Sequence, residues 1–141
     1  MADNVALAQA TYDAFGRGDI PAVLGVMADD VEWHEAEHVL YWPGGPFIGP
    51  QAVVDGVFAR IPQDYEAFTI NVRRLVGFGD TVIMEGRYSG RAKATDQDFD
   101  IQVAHVLDFR NGKLVRFQQY VDTLQLAQVM GVAPGVATAT A

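Results

Sequence analysis

The dipeptide Asn111-Gly112, which lies between two segments of alternating apolar residues, constrains the fold of this chain more than any other feature. Asn and Gly tolerate the positive φ angles of a two-residue type I′ turn, so the two segments are predicted to pair as an antiparallel hairpin. The tightest such turn sets Arg110 opposite Lys113. Counting outward from that pair sets Leu107 opposite Arg116.

Two polar side chains share one face of this predicted hairpin. Residues directly opposite one another share a face, and alternate residues return to it, so His105 and Asp122 project from the same side. They lie about 13 Å apart along the strand, unless a bulge shortens the gap. Polar groups on an apolar face need a reason, because burying them without a partner is costly. The rest of the face is apolar and comprises Phe99, Ile101, Val103, Leu107, Phe109 and Leu114.

The opposite face of the hairpin is not fully polar. An exposed apolar face is typical of subunit contacts, so a homodimer through the outer sheet face is expected. The apolar residues predicted on that outer face are Val106, Val115, Phe117 and Val121.

A second register is suggested by the loop near Thr95-Asp96. It sets Arg91 opposite Asp100, which is a favourable cross-strand charge pair. It also sets Gly86 opposite His105. A glycine beside the histidine leaves a gap, either for close packing or for a ligand.

Helical patterns precede a long run of strand patterns. Three helices are predicted: one capped at Asp3 or Asn4, one capped at Asp19, and one that stops before Pro62. Strands are predicted at residues 31–35, 66–77, 81–93, 97–110 and 113–122. Helices followed by antiparallel strands indicate an α+β fold. We expect a strongly bent antiparallel β-sheet wrapped around three helices, forming a cone with an internal pocket.

Composition narrows the class of protein. The 141 residues, half of them apolar, suit a single domain, predicted over residues 1–132 and followed by a flexible tail at 133–141. The formal charge of -8 argues against nucleic acid or an anionic membrane as a partner. With no cysteine, neither disulfides nor thiolate chemistry is expected. No signal peptide or membrane-spanning segment is predicted, so the expected location is cytoplasmic.

Residues 34–38 spell H-E-x-x-H, the pattern of zinc proteases. In those enzymes a helix brings the two histidines onto one face, within about 6 Å of each other. Here the motif runs from a predicted strand into a Pro/Gly-rich loop. On a strand the histidines would lie about 13 Å apart, too far to bind one zinc ion. No metal is therefore predicted.

Aromatic residues near the first strand are candidates for a pocket wall, which would suit a flat apolar ligand. Strand alternation puts Trp33 and Glu35 on one face and His34 on the other, and only one set can point inward. Ordinary core packing is the alternative for Trp33 and Tyr88, whereas the loop aromatics would form a lid. The full set is Trp33, Tyr41, Trp42, Phe47, Tyr88 and Tyr120.

Several segments of the chain resemble the nuclear-transport-factor-2-like (NTF2-like) superfamily, in particular its SnoaL-like branch of polyketide cyclases and ketosteroid isomerase-like proteins. The resemblance implies the bent-sheet cone. The matching segments read YDAFGRGD at 12–19, MADDVEW at 27–33, GGPFIGPQAV at 44–53, and GKLVRF through Asp122-Thr123 at 112–123.

The resemblance also implies roles for single residues. Asp122 and His105 match the acid/base aspartate and the neighbouring histidine of the cyclases. Glu35 matches the carboxylate base of the isomerases, and Tyr12 lies one position from their helix-one tyrosine. No cofactor is implied.

The predicted function is general acid/base chemistry on a carbonyl-containing apolar or polycyclic compound, by cyclisation, isomerisation or dehydration. Asp122 would be the acid/base, His105 the polarising or shuttling group, and Glu35 a second carboxylate. A non-catalytic ligand-binding module is the alternative, and a dimerisation scaffold without a cavity is a third. Substrate contacts are expected from Trp33, Tyr12, Tyr88, Tyr120, Trp42, Phe47 and Gly86.

Overall fold

The computed structural model describes residues 3–132, and the predicted tail at 133–141 lies outside them. The α+β fold class is confirmed. Within the described residues, no helix is long and apolar enough to cross a membrane. The helices are α1 (Asn4–Gly16), α2 (Ile20–Val26), α3 (Pro50–Val53), α4 (Ile61–Asp64) and α5 (Thr123–Val129). The strands are β1 (Met27–His34), β2 (Phe47–Ile48), β3 (Tyr65–Phe78), β4 (Thr81–Ala92), β5 (Gln97–Arg110) and β6 (Lys113–Val121).

Aspartates begin the first two helices where the sequence predicts them. The Asp3 carboxylate accepts a hydrogen bond from the Ala6 backbone nitrogen at 3.1 Å, and Asp19 caps α2 in the same way. The predicted third helix is interrupted, because α3 passes into a π-helical turn at Val54–Phe58. Pro62 lies in the first turn of α4 instead of ending a helix, since the missing N–H is not needed there.

Within residues 3–132, the strands form one curled sheet in the order β2-β1-β6-β5-β4-β3. Neighbouring strands are antiparallel as predicted, except β1 and β6, which run parallel. The inner face of the sheet packs against the helices. Fully buried core side chains include Ala8, Val31, Val53, Val82, Met84 and Ile101.

The hairpin between β5 and β6 follows the predicted register only near its turn. Arg110 faces Lys113 as predicted, but Asp108 faces Arg116, which leaves Val115 as an extra residue in a β-bulge. Every later pair is displaced by one position, and Leu107 faces Phe117. A slip of one residue exchanges the two faces of a strand, so the predicted faces of β6 are wrong beyond Val115.

The register between β4 and β5 differs from the prediction by two residues. The turn takes residues 93–96, so Arg91 faces Asp98 and not Asp100. His105 accordingly faces Met84. A slip of two residues preserves which side chains point inward, and His105 keeps its predicted face.

Gly86 faces Val103 and not His105. A Cβ atom added at Gly86 would overlap the backbone carbonyl oxygen of Asn71 on β3. The glycine therefore allows β3 and β4 to approach closely at an irregular point of their pairing, and it does not open space for a ligand.

Gly86→Ala is expected to lower the free energy of unfolding by about 1–3 kcal/mol, because the added methyl group must displace backbone atoms. Gly25 in α2 is a matched control, since a Cβ there meets no atom within 4 Å. Gly25→Ala should be neutral or stabilise by up to about 1 kcal/mol. Urea denaturation of both variants measures the difference, and equal stabilities would refute the close-approach interpretation.

Candidate functional site

A cavity opens between the inner face of the sheet and the helices. The volume open to the centre of a water molecule is about 80 Å³, several times the roughly 10–15 Å³ that one water requires. The third functional alternative, a dimerisation scaffold without a cavity, does not agree with this finding. The wall is mostly apolar, with a few convergent polar groups, as in small-molecule sites. It includes Tyr12 of α1, Val23 of α2, Trp33 of β1, Tyr88 of β4, His105 of β5, Phe117 and Gln119 of β6, and Leu126 of α5.

His105 lies in this wall between two tyrosines. Its Nδ1 atom is 2.7 Å from the Tyr12 hydroxyl, and its Nε2 atom is 2.6 Å from the Tyr88 hydroxyl. The side chain is 2% exposed. Burial lowers the pKa of His105 to about 3, so the imidazole is neutral at physiological pH.

Gln119 extends this hydrogen-bonded chain. Its Nε2 atom donates to the Tyr88 hydroxyl at 2.8 Å, and its Oε1 atom accepts from the Ala36 backbone nitrogen at 3.1 Å. The hydrogen bonds therefore run from Tyr12 through His105, Tyr88 and Gln119 to Ala36, which follows Glu35 in the chain. Sequence reasoning missed Gln119, because the predicted register placed it on the outer face.

Glu35 brings a carboxyl group into the cavity wall. Its side chain is 6% exposed and accepts a hydrogen bond from Trp33 Nε1 at 2.8 Å. Burial raises the pKa of Glu35 to about 7, although the Trp33 hydrogen bond and the positive charge of Arg60 act in the opposite direction. A carboxyl group with that pKa can both accept and donate a proton at neutral pH.

The inward face of β1 carries Trp33, and Glu35 continues that alternation just beyond the strand. His34 points outward, where its Nε2 atom lies 3.4 Å from the Glu32 carboxylate. The Trp33 ring stacks on Phe117, with centroids 3.6 Å apart and planes 13° apart. The alternative that the sequence leaves open is thus decided in favour of Trp33 and Glu35.

The loop aromatics divide between the cavity and the surface. Tyr41 lines the cavity, and its hydroxyl donates to Asp64 at 2.7 Å while the Arg60 guanidinium lies 4.3 Å from the ring centroid. Trp42 lies outside, 37% exposed and packed against His38. Phe47 is buried, but it does not line the cavity. Its ring occupies the space that a side chain at Gly56 would need, so Phe47 packs inside the fold and away from the cavity wall.

Asp122 lies outside the cavity, contrary to the prediction that it shares a face with His105. The bulge at Val115 turns it to the outer side of the sheet, where its carboxylate accepts a hydrogen bond from the Gln125 backbone nitrogen at 3.0 Å and caps α5. Tyr120 also faces outward and is 58% exposed. Together with Gly86, these residues line a shallow groove on the outer face. The structure therefore places Tyr120, Gly86 and Trp42 outside the cavity wall.

Residues 8–117 match the profile of the SnoaL-like domain. An NTF2-like protein from Burkholderia thailandensis E264 is 34% identical, and the alignment covers 92% of this chain and 98% of that one, with a TM-score of 0.87. This chain belongs to the SnoaL-like domain family. The family resemblance drawn from the sequence motifs is confirmed.

Two further solved structures share the fold of this SnoaL-like domain. An NTF2-like protein of unknown function from Burkholderia pseudomallei K96243 is 23% identical, covering 92% of this chain and 98% of that one, with a TM-score of 0.83. TerC, co-crystallised with polyporic acid, is 22% identical, covering 92% and 99%, with a TM-score of 0.82. At these identities the likeness concerns the fold alone. No curated protein that was compared matches the chain.

The H-E-x-x-H segment of this SnoaL-like domain is not helical. β1 ends at His34, and the following residues form turns in which His38 has a φ of 71°. Among residues 3–132, no group of three His, Cys, Asp or Glu side chains lies close enough to hold a metal ion.

The capping role of Asp122 is testable by two substitutions. Asp122→Ala should lower the free energy of unfolding by about 0.5–2 kcal/mol, because α5 loses the acceptor for the Gln125 amide. Asp122→Asn keeps a side-chain oxygen and should cost little. Chemical denaturation distinguishes the two, and a large loss for the Asn variant would contradict the capping assignment.

Proposed function

We propose that this SnoaL-like domain is a cofactor-independent enzyme that transfers a proton next to the carbonyl group of a compact, mostly apolar substrate. Glu35 acts as the acid/base. One observation carries the proposal: a carboxyl group with a pKa of about 7 lies in the wall of an apolar cavity. The same wall holds the contacts of His105 with Tyr12 and Tyr88.

The proposed reaction begins with proton abstraction from the carbon beside the carbonyl. The carboxylate of Glu35 takes the proton, the C–H electron pair forms the enolate double bond, and the carbonyl oxygen gains the negative charge. Hydrogen-bond donation from the Tyr12 side of the cavity stabilises that oxygen. In a β,γ-unsaturated substrate the enolate extends over the C=C bond, and return of the proton to the γ-carbon moves that double bond and isomerises the substrate. An enolate that attacks a second carbonyl, or expels a leaving group, gives cyclisation or elimination.

His105 is proposed to position Tyr12 and not to shuttle the proton. With a pKa of about 3, its imidazole is a weak base at neutral pH. The cavity's volume of about 80 Å³ favours a compact substrate over a large polycyclic one. TerC, which shares this fold, was co-crystallised with polyporic acid, and this supports a small-molecule ligand for the domain.

A model ketone tests the proposal before the substrate is known. Hydrogen–deuterium exchange at the α-carbons of cyclohexanone, followed by NMR in D₂O, should be accelerated by the protein. The rate should rise with pH through a midpoint of about 7 and then level off, because only the ionised form of Glu35 accepts a proton. A non-catalytic binding module would retain bound ligand in native mass spectrometry and show no exchange.

We also propose a homodimer through the outer face of the sheet. Val76, Ile83 and Val106 face one another across β3, β4 and β5, and the first two are 49% and 45% exposed. Phe117 and Val121, predicted for this face, point inward instead. Ile83→Glu should convert a dimer to a monomer in light scattering at micromolar concentration. A wild-type monomer would refute the proposal.

A further inference from the structure

We infer that Gln119 fixes the tautomer of His105, so that Tyr12 offers a ligand a hydrogen-bond donor and not an acceptor. Gln119 is thus a positioning residue that acts through Tyr88 and His105. The ligand group recognised there is a carbonyl or oxyanion oxygen. The catalytic meaning of this inference rests on the proposed function, whereas the order of the hydrogen bonds does not.

The orientation of the Gln119 amide is set by the backbone. The Ala36 N–H can only donate, and it lies 3.1 Å from one end of the amide, so that end is the carbonyl oxygen. The NH₂ group must then face the Tyr88 hydroxyl, to which it donates at 2.8 Å. The usual ambiguity between the oxygen and the nitrogen of an amide is removed here.

The orientation of Gln119 then fixes which group donates in each of the next hydrogen bonds, from Tyr88 through His105 to Tyr12. Because the Tyr88 oxygen accepts from Gln119, its own hydrogen is free to donate to His105 Nε2 at 2.6 Å. A neutral imidazole carries one N–H, which must therefore lie on Nδ1. The Nδ1–H group donates to the Tyr12 oxygen at 2.7 Å. The Tyr12 hydrogen is left for a ligand in the cavity.

The opposite order is disfavoured by burial. If Nε2 carried the proton, the Tyr88 oxygen would accept from both His105 and Gln119, and its hydrogen would need a third partner. Within residues 3–132, the Tyr88 hydroxyl contacts both His105 and Gln119, and its side chain is 6% exposed. The Tyr12 hydroxyl contacts His105 alone among those residues, and its side chain is half-buried, so Tyr12 is the more open of the two to a molecule in the cavity that both line. The order that leaves the free hydrogen on the less buried Tyr12 is therefore favoured.

NMR of the resting protein tests the inference directly. Replacing His34 and His38 by Asn leaves His105 as the single imidazole of a chain with three histidines. In ¹⁵N-labelled protein at pH 7, long-range ¹H–¹⁵N spectra should show a pyrrole-type Nδ1 and a pyridine-type Nε2. A protonated Nε2, in either the neutral or the charged ring, would overturn the inference. This result is independent of whether cyclohexanone exchange is ever observed.

Gln119→Met tests the residue that sets the order. Without the amide, both hydrogen-bond orders are allowed, so the two ¹⁵N shifts should move toward each other by at least a tenth of their wild-type separation. Gln118→Met on the outer face of the same strand is the control and should leave both shifts unchanged. A folded Gln119→Met protein that keeps the wild-type shifts would show that Gln119 does not choose the tautomer. Should that variant not fold, the spectrum of the resting protein still decides the direction.

Discussion

Glu35→Gln is expected to remove catalysis of proton exchange and, at the same time, to stabilise the fold above neutral pH. The amide cannot accept the α-proton, so the rate should fall by about 10²–10⁴-fold, the usual contribution of a general base. Glutamine fits the same space and can still accept the Trp33 hydrogen bond. The variant no longer has to keep an ionised carboxylate inside an apolar cavity.

The gain in stability should depend on pH. Folding raises the pKa of Glu35 from an ordinary 4.5 to about 7, so the folded state holds this proton more tightly than the unfolded state. The contribution of this proton to the free energy of unfolding is fully present below pH 4.5 and is lost as pH rises to about 7. At about 1.4 kcal/mol per pKa unit, the loss is about 3 kcal/mol. In urea denaturation, the stability of Glu35→Gln relative to the wild type should increase by that amount between pH 4.5 and pH 8.

Glu32→Gln is the matched control, because Glu32 lies on the outer face of the same strand and is half-exposed. It should leave the exchange rate of cyclohexanone unchanged. If Glu35→Gln exchanged cyclohexanone protons as fast as the wild type, Glu35 would not be the base. If the stability difference did not widen with pH, the carboxyl group would not be desolvated as described.

His105→Ala is expected to cause a large loss of stability, about 3–5 kcal/mol at pH 7. The substitution empties a buried position and also leaves the Tyr88 hydroxyl without its imidazole partner. The cost should shrink as pH falls below 6.5. The unfolded wild type then binds a proton at His105, whereas the folded protein keeps the ring neutral down to about pH 3.

His34→Ala provides the comparison for this experiment, since His34 points outward from β1 and contacts Glu32. Its effect should stay within about 0.5 kcal/mol, as is usual for surface substitutions. Urea denaturation at pH 7 and pH 4 measures both variants. Comparable losses for the two histidines would mean that the contacts of His105 with the tyrosines contribute little to the fold.

Much of the architecture could be predicted because it depends on local chemistry. The Asn111-Gly112 turn forms with φ angles of 52° and 74°, and the aspartate caps begin α1 and α2. Strand alternation correctly grouped Trp33 with Glu35. The same alternation on β4 puts Tyr88 inward and Arg87 outward, where Arg87 pairs with Asp100 at 2.6 Å.

The site itself could be predicted only in part, because its polar contacts depend on registers that local pattern does not set. His105 and Glu35 are in the cavity wall, whereas Asp122 is not. The ideal register placed the aromatic Phe117 on the outer face and the polar Gln118 on the inner face. That unfavourable assignment was a sign in the sequence that the strand contains a bulge. Displacing β6 by one residue turns Phe117 inward and Gln118 outward.

The bulge at Val115 shifts the alternation of inward and outward side chains on the rest of β6 by one residue. One unpaired residue decides which alternate set of side chains lines the cavity: Phe117 and Gln119 with the bulge, Arg116 and Gln118 without it. Insertion or deletion of a single residue there would exchange the whole contribution of this strand to the cavity while leaving the sheet intact. Relatives that gain or lose this bulge would acquire a different cavity wall in one step, without substituting any residue that lines it.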